Sequence, residues 1–264
     1  MNADNKEETE TIQRIAARVI ATHPAGRNLV LIGGFRYRFL DESVRASDDI
    51  DYHWAGDLEQ KQLELVALLS RVLLPEIRRK LQYEGNVNPH IGPDAESPAV
   101  RTVDLAFWQQ AVPDSRIEIP IELTRIVCAD PITVRTAGGT IYPTVSEADM
   151  VESKVIAVFN RRELQHRDIV DLFLFQNRLL PGSGQRLAVK LRTLNISVAG
   201  VQERIADFGQ HAGYHARAVQ VIIDTQLDSP SAAQVNDAGG GRMVLETSLA
   251  VLKRLILPDG EGVK

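Results

Sequence analysis

Two aspartates at alternate positions, Asp49 and Asp51, follow a pair of glycines, Gly33 and Gly34. The glycines end an apolar run at residues 29–32, which is typical of a buried strand, and a short helical pattern follows them. Side chains on a strand alternate between its faces, so the two aspartates point the same way, and carboxylates held this close favour a divalent cation between them. Glycine amides at the start of a helix favour a bound phosphate. The stretch therefore predicts a phosphate site beside a divalent-metal site, which indicates nucleotide chemistry.

The elements that must position these residues are predicted to form an α+β fold. We expect strands at 28–32, 48–54, 100–108 and 116–127, a helix from Gly33 to about Asp41, and a long amphipathic helix at 60–83 interrupted by Pro75. The last two strands are joined by a turn at 112–115, so they are antiparallel neighbours. This order favours α+β over a doubly wound fold. Pro120 favours an edge or bulged position.

The second half of the chain is predicted to be helical. A hairpin is expected around Gly138-Gly139, and Ser146 to Asp149 has the spacing of a capping box, so a helix begins there. We therefore expect an α+β domain at residues 1–144 and a helical domain at 145–264. Residues 84–98, rich in Gly, Asn and Pro, are predicted to be a loop, and the tail 258–264 to be disordered.

The order strand, Gly-Gly turn, short helix and Asp-x-Asp strand resembles the nucleotidyltransferase superfamily. The resemblance implies that Gly33, Gly34 and Ser47 bind the nucleotide, that Asp49 and Asp51 are catalytic metal ligands, and that a later strand supplies a third carboxylate. The candidates for the third carboxylate are Asp104, Glu118 and Glu122. Glu122 best matches the family's position. The structural alternative is that the glutamates form the polar face of a strand.

Two further motifs are similar to those of the AbiEii/AbiGii toxin family, the nucleotidyltransferase-like arm of type IV toxin–antitoxin systems. One is the helix that carries Lys154, and the other is Arg167-Asp168-Ile-Val-Asp171. The resemblance covers residues 29–175 and implies that Lys154 contacts the triphosphate and that Asp168 has a catalytic or nucleotide-positioning role. Both residues would then come to the site from the helical domain. The structural alternatives are a surface lysine and a helix N-cap.

The resemblance also implies a reaction. A nucleoside triphosphate would be the substrate, two Mg²⁺ ions would be the cofactors, and a nucleoside monophosphate would pass to an acceptor. RNA, in particular tRNA, is the first choice of acceptor, and a cognate antitoxin is a possible partner. Two alternatives stay open: a small-molecule nucleotidyltransferase of the antibiotic-modifying kind, and a non-catalytic binding protein on the same fold.

Composition limits the other classes. The net charge of −5 and the pI of about 5.7 give no global basic surface, so contact with RNA must come from a local patch. No apolar run is long enough for a membrane span, and the start of the chain lacks the apolar core of a signal peptide, so we expect a cytoplasmic protein. The single Cys128 and the six histidines show no ligand spacing, and we interpret His211 and His215 as structural. Arg36, Arg38 and Arg45 are candidates for phosphate contacts or for ion pairs with the aspartates.

Overall fold

The computed structural model describes residues 3–90, 99–110 and 112–256. It divides into two compact units. The first comprises Met1–Ile126 and Ile132–Val145, and the second comprises Val127–Pro131 and Ser146–Lys264. A single division at residue 145 would assign Val127–Pro131 to the first unit, whereas this segment packs with the second.

A mixed seven-stranded sheet forms the centre of the first unit, with the strand order β3-β4-β5-β2-β1-β7-β6. The strands are β1 (Val30–Ile32), β2 (Ile50–His53), β3 (Glu84–Pro89), β4 (Val100–Gln109), β5 (Val112–Thr124), β6 (Thr133–Ala137) and β7 (Thr140–Thr144). The strand β1 is antiparallel to β2 and parallel to β7, while β2 is parallel to β5. The remaining neighbours are antiparallel pairs. The predicted α+β class is confirmed, and the sheet contains both parallel and antiparallel pairs.

The α-helices described in the first unit are α1 (Ala3–Thr22), α2 (Gly33–Leu40), α3 (Leu58–Leu68) and α4 (Leu74–Leu81). Apolar side chains of α1, α3 and α4 pack with one face of the sheet, so that Ile12, Leu65 and Ile77 share a core with Leu105 and Ile119. Apolar residues at helical spacing on the helices and at alternate positions on the strands produce this core.

The predicted interruption at Pro75 is observed. A π-helical segment, Leu69–Leu73, separates α3 from α4, and Pro75 occupies the first turn of α4. Proline has no N–H and its ring crowds the carbonyl four residues earlier, so it is tolerated at the start of a helix.

Two local predictions are wrong. The expected loop at 84–98 contains β3, whose only core-facing apolar residue, Val87, is flanked by Asn86 and Asn88. A strand at the edge of a sheet tolerates this composition because one face and one edge are solvated. Residues 91–98 and the predicted disordered tail lie outside the described residues. The expected turn at 112–115 is also wrong, because β5 already begins at Val112.

Pro120 is predicted to lie at an edge or bulged position, and one side of β5 is indeed unpaired with β2 at this residue. β5 lies inside the sheet, but its pairing with β2 begins only at Ile121, opposite Ile50. Pro120 pairs with Asp104 of β4 and lies where the other edge of β5 is not covered by β2. The predicted glycine hairpin is also present, since Gly138 and Gly139 join β6 to β7 with φ of 53° and 75°.

The second unit is helical. Its helices are α5 (Glu147–Asn160), α6 (His166–Phe175), α7 (Ser183–Thr193), α8 (Val198–Gln210), α9 (Ala212–Gln226), α10 (Ser229–Asp237) and α11 (Gly240–Ile256). Ser146 caps α5, because its Oγ accepts a hydrogen bond from the amide of Asp149 at 3.0 Å. The predicted helix start is therefore confirmed.

Buried charges fasten α5 to α7 and explain why Val127–Pro131 belongs to the second unit. Asp149 accepts hydrogen bonds from the amides of Ala129 and Asp130, both at 2.9 Å, and from the Lys190 ammonium. Burial acts to raise the pKa of Asp149, but Lys190 and the two amides hold it below its ordinary value. Glu152, fully buried, pairs with Lys190 at 2.7 Å.

Candidate active site

The Gly33-Gly34 turn and Asp51 lie in contact in the first unit. β1 ends at Ile32, α2 begins at Gly33 with φ of +76°, and Ile32 pairs with Asp51 across the antiparallel β1–β2 ladder. A Cβ atom on Gly33 would lie 1.7 Å from Oδ2 of Asp51. The Asp51 carboxylate therefore occupies the space that any other side chain at position 33 would take, beside the N-terminal end of α2. Helix N-termini favour negative charge.

Gly34 makes room for a second pair of side chains. Its Cβ would lie 2.6 Å from Nη2 of Arg45 and 2.7 Å from Oγ of Ser47. Both residues are almost fully buried. Close approach therefore requires glycine at both positions: Asp51 of β2 lies against Gly33, and the loop before β2 lies against Gly34. Gly33 alone of the two also has a left-handed backbone.

Asp49 is buried just before β2 and is held by its neighbours. The hydroxyl of Ser47 donates to Oδ1 of Asp49 at 2.7 Å. The side-chain amide of Gln13, on α1, donates to the main-chain oxygens of Ser47 at 2.8 Å and of Asp49 at 3.3 Å. Gln13 is itself 2% exposed. Sequence reasoning missed this positioning residue; its one signal is that Gln13 lies next to Ile12 on the apolar face of an amphipathic helix.

The strand register distinguishes the three candidates for the third carboxylate. β2 and β5 are parallel neighbours in which Asp51 is paired with Glu122, so the two side chains lie on the same face of adjacent strands. Glu118 lies four residues earlier on β5, about 13 Å away along the strand, and pairs with Arg116 at 2.7 Å. Asp104 lies on β4 and contacts His90 at 2.8 Å. The register favours Glu122.

The carboxylates of Asp51 and Glu122 suit one mode of magnesium binding. Within 3–90, 99–110 and 112–256, no three Asp, Glu, His or Cys side chains form a group able to hold a metal ion. Magnesium, however, is commonly bound through one or two carboxylates together with waters and the phosphates of the substrate. The adjacent carboxylates of Asp51 and Glu122 fit this mode, whereas a ready three-carboxylate cage is not among the described residues.

All three arginines near the turn contact protein groups. Arg36, 1% exposed, forms a buried ion pair with Asp41 and donates to Oγ1 of Thr144 at 3.1 Å. Arg38 pairs with Glu10 at 2.9 Å and donates to the main-chain oxygen of Ser43 at 2.7 Å. These contacts hold α2 against β7, α1 and the following loop, which accounts for both arginines without a phosphate. Arg45, already described beside Gly34, donates to the oxygen of Ala46 at 2.9 Å.

Lys154 lies in the second unit, buried between α5 and α6. Its ammonium is 3.0 Å from Oδ1 of Asp168 and 2.9 Å from Oδ2 of Asp171, and both carboxylates are almost fully buried. One lysine and two aspartates together carry one excess negative charge. Arg161 partly offsets it, because its Nη1 lies 3.4 Å from Oδ2 of Asp168. Lys154 is therefore not a surface lysine, and the ion pairs alone account for its burial.

Asp168 is not the N-cap of α6. The N-cap position is Gln165, and Asp168 lies in the first turn, where its amide donates to the oxygen of Gln165 at 2.9 Å. Its carboxylate points instead to Lys154 and Arg161. The N-cap alternative for Asp168 is therefore wrong.

A chain of titratable groups surrounds the start of α6. Nε2 of His166 lies 3.0 Å from Nδ1 of His215, and Nε2 of His215 lies 3.3 Å from Oδ2 of Asp207. Burial lowers the pKa of both histidines, and their mutual repulsion lowers that of His166 further. His211 also contacts Asp207, at 2.8 Å. The interpretation of His215 as structural fits its packing against Phe208.

Solved structures that resemble the chain show its fold. MenT4, a nucleotidyltransferase toxin from Mycobacterium tuberculosis H37Rv, is 19% identical, with a TM-score of 0.54 over 95% of this chain and 94% of that chain. JHP933 from Helicobacter pylori is 13% identical, with a TM-score of 0.52 over 97% of this chain and 93% of that chain. The predicted nucleotidyltransferase fold is thereby confirmed. No curated protein matches the chain significantly.

None of the described helices is both long and apolar enough to cross a membrane. Residues 14–233 match the family model described as "Nucleotidyl transferase AbiEii toxin, Type IV TA system". This match spans the Gly-Gly turn, the Asp-x-Asp strand and both helices that carry Lys154 and Asp168. The chain belongs to the AbiEii nucleotidyltransferase toxin family.

Proposed function

We propose that this toxin-family nucleotidyltransferase moves a nucleoside monophosphate from a nucleoside triphosphate to RNA, with tRNA as the first candidate acceptor, in a magnesium-dependent reaction. The observation that carries the proposal is the position of Asp51, which lies against Gly33 at the start of α2 and is paired with Glu122 on the neighbouring strand. The start of a helix favours a bound phosphate, and two adjacent carboxylates favour a bound cation, so this arrangement can hold both.

Each residue of this arrangement has a role in the proposal. Asp51 and Glu122, with Asp49, would hold Mg²⁺, for which the superfamily resemblance implies two ions. Bound magnesium supplies charge neutralisation at the leaving pyrophosphate and lowers the pKa of the acceptor hydroxyl. The backbone of Gly33 and Gly34 would face the phosphates, while Ser47 and Gln13 keep Asp49 in place.

The second unit has a role that rests on the family motif. We propose that Lys154 and Asp168 take part in handling the nucleotide, with Lys154 as the contact to the triphosphate that the family motif implies. Their mutual ion pair would fix both side chains in advance of binding. A cytoplasmic location and a cognate antitoxin complete the proposal, because membership of a toxin–antitoxin family implies a partner that limits the toxin.

The reaction can be tested with purified protein, magnesium, total RNA and each of the four α-labelled nucleoside triphosphates. We expect one of them to label a tRNA-sized band, with release of pyrophosphate. Asp51→Asn should abolish the labelling, whereas Asp48→Asn should leave it, since Asp48 is exposed and immediately precedes the proposed site. Asp48→Asn is the matched control because it removes the same charge three residues before Asp51.

Two results would contradict the proposal. Undiminished labelling by Asp51→Asn would exclude the assigned site. If none of the four triphosphates labels RNA but one of them labels a cationic small molecule, the acceptor is that small molecule and not RNA. Growth arrest on expression in a bacterium gives an independent measure, and it should disappear with Asp51→Asn and persist with Asp48→Asn.

A further inference from the structure

The strands β3, β4 and β5 have one polar face, opposite the face that packs in the core. The inward residues, among them Phe107 and Ile117, are almost fully buried. The register arranges the outward residues in rows across the strands, and one such row joins Thr102, Glu122 and Asp51. The polar face of β3–β5 is therefore continuous with the proposed metal ligands.

The same face carries a groove at its other end. It has a volume of about 440 Å³ and is lined by Asn86, Trp108, Gln109, Gln110 and Arg116. This volume lies within the range of small-ligand sites. From Arg116 to Glu122 is six residues along β5, which corresponds to about 20 Å at the rise of a strand.

The two tryptophans of the chain differ in their surroundings. The Trp54 ring faces the Lys61 ammonium 4.3 Å from its centroid, and its indole N–H donates to the oxygen of Asp57 at 3.1 Å. Trp108 lies partly exposed on the sheet, and among the described residues its ring has no stacking or cation–π partner and its N–H has no acceptor. Trp108 therefore presents both an aromatic face and a donor to the groove.

The side chains around Trp108 match the chemistry of a nucleotide. An indole stacks on a base of any identity, and amides such as that of Asn86 recognise base edges. The Arg116 guanidinium can bind a phosphate, because its present partner, Glu118, is 66% exposed and such surface pairs contribute little. Glu84, which pairs with Trp108 across β3–β4, is balanced by Arg78 at 3.1 Å. Glu84, at this end of the face, therefore keeps its basic partner when Arg116 contacts the phosphate.

We propose that this groove binds an unpaired base of the acceptor RNA, stacked on Trp108, with the adjoining phosphate at Arg116. The inference rests on the proposed function for the identity of the acceptor. Because the groove lies about 20 Å from Glu122 along the strand, the bound base belongs to a nucleotide several positions from the hydroxyl that reacts. The groove selects acceptors that have an unpaired segment beside the end that is modified.

Trp108 fluorescence can test binding directly in the full chain, without triphosphate or magnesium. Trp54→Phe leaves Trp108 as the only tryptophan of the protein. We expect a single-stranded hexa-adenylate to quench the fluorescence of this variant, and quenching to weaken as salt rises. Adenosine monophosphate should bind much more weakly, and inorganic polyphosphate should bind without quenching.

Variants at position 108, in the wild-type background, separate stacking from charge. Using labelled hexa-adenylate, we expect Trp108→Ala to weaken binding by about fivefold to a hundredfold, and Trp108→Phe, which keeps an aromatic face, to retain most of it. Trp54→Phe is the matched control and should bind as wild type. Thermal unfolding of each variant excludes misfolding as the cause.

Several outcomes would overturn the inference: equal binding by Trp108→Ala and wild type, no quenching by hexa-adenylate, or binding of adenosine monophosphate as tight as that of the oligonucleotide. Its failure is distinct from that of the proposed function. If the Trp108→Ala variant labels RNA with an unchanged KM for RNA, the proposed role of the groove is excluded but the proposed transfer is not. If hexa-adenylate quenches Trp108 but no triphosphate labels RNA, only the proposed transfer fails.

Discussion

Gly33 and Asp51 share one space at the start of α2, since a Cβ atom on Gly33 would lie 1.7 Å from Oδ2 and 2.5 Å from Cγ of Asp51. The glycine also has φ of +76°, which L side chains rarely adopt. Two physical requirements, backbone conformation and close approach, therefore coincide at the residue that begins the helix and contacts the proposed metal ligand.

Gly33→Ala should separate these two requirements when it is compared with Gly139→Ala. Gly139 has nearly the same φ, +75°, but no atom within 4 Å of its Cβ position. We expect Gly139→Ala to lower the free energy of unfolding by about 1 kcal/mol, the cost of a left-handed alanine. Gly33→Ala should cost more and should also abolish nucleotide transfer, because Asp51 must move. Urea unfolding and RNA labelling provide the measurements, and equal effects of the two substitutions would contradict the close approach.

The pairing of Asp51 with Glu122 gives a second prediction. We expect Glu122→Gln to reduce transfer by about 100-fold or more, because a neutral amide replaces a charged metal ligand and each 1.4 kcal/mol of lost stabilisation is a factor of ten. Glu118→Gln and Asp104→Asn should stay within a few fold of wild type. Titration of magnesium for each variant supplies the check: the magnesium requirement should rise for Glu122→Gln alone. A larger loss with Glu118→Gln or Asp104→Asn would assign the third carboxylate elsewhere.

The parts of the site that depend on local spacing could be predicted from the sequence. Gly33-Gly34 after an apolar run predicts the strand, the turn and the helix start, and all three are observed. Alternation predicts that Asp49 and Asp51 share a direction, although β2 begins only at Ile50. The catalytic and nucleotide-binding roles of these residues stay predictions.

The parts that depend on distant packing could not be predicted. The contact between Gln13 and the main chain of Ser47 joins residues 34 positions apart, and one glutamine on an amphipathic helix that carries many polar residues does not indicate it. The family resemblance already favoured Glu122, but the physical reason for that choice, the register between β2 and β5, is not contained in the sequence. β3 was predicted to be a loop because composition at the edge of a sheet resembles that of a loop.

Lys154 gives a third prediction, in which a structural and a catalytic role have to be separated. Lys154→Met leaves Asp168 and Asp171 buried without their shared cation, so we expect a loss of about 3–5 kcal/mol in the free energy of unfolding. The double variant Lys154→Met with Asp171→Asn should recover part of that loss. Lys253→Met, at an exposed position of α11, is the control and should change stability by less than about 0.5 kcal/mol.

Activity of the double variant then decides the role of Lys154. If the protein is folded but transfers no nucleotide, the lysine takes part in the reaction as the family motif implies. If transfer returns together with stability, Lys154 has only a structural role. Circular dichroism and RNA labelling on the same samples give both quantities.

The contact between His166 and His215 predicts that acid destabilises the second unit. Burial holds the pKa of both histidines below the ordinary value of about 6.5. The unfolded chain therefore takes up protons below pH 6.5 that the folded chain excludes, so stability falls as the pH falls, by at most about 1.4 kcal/mol per pH unit for each histidine. Asp207 opposes this trend at His215, whereas Arg204 and His211 reinforce it. Urea unfolding at pH 7.5 and 5.5 should show a smaller difference in the free energy of unfolding for His166→Gln than for wild type. Equal differences for His166→Gln and wild type would show that His166 does not contribute to the acid sensitivity.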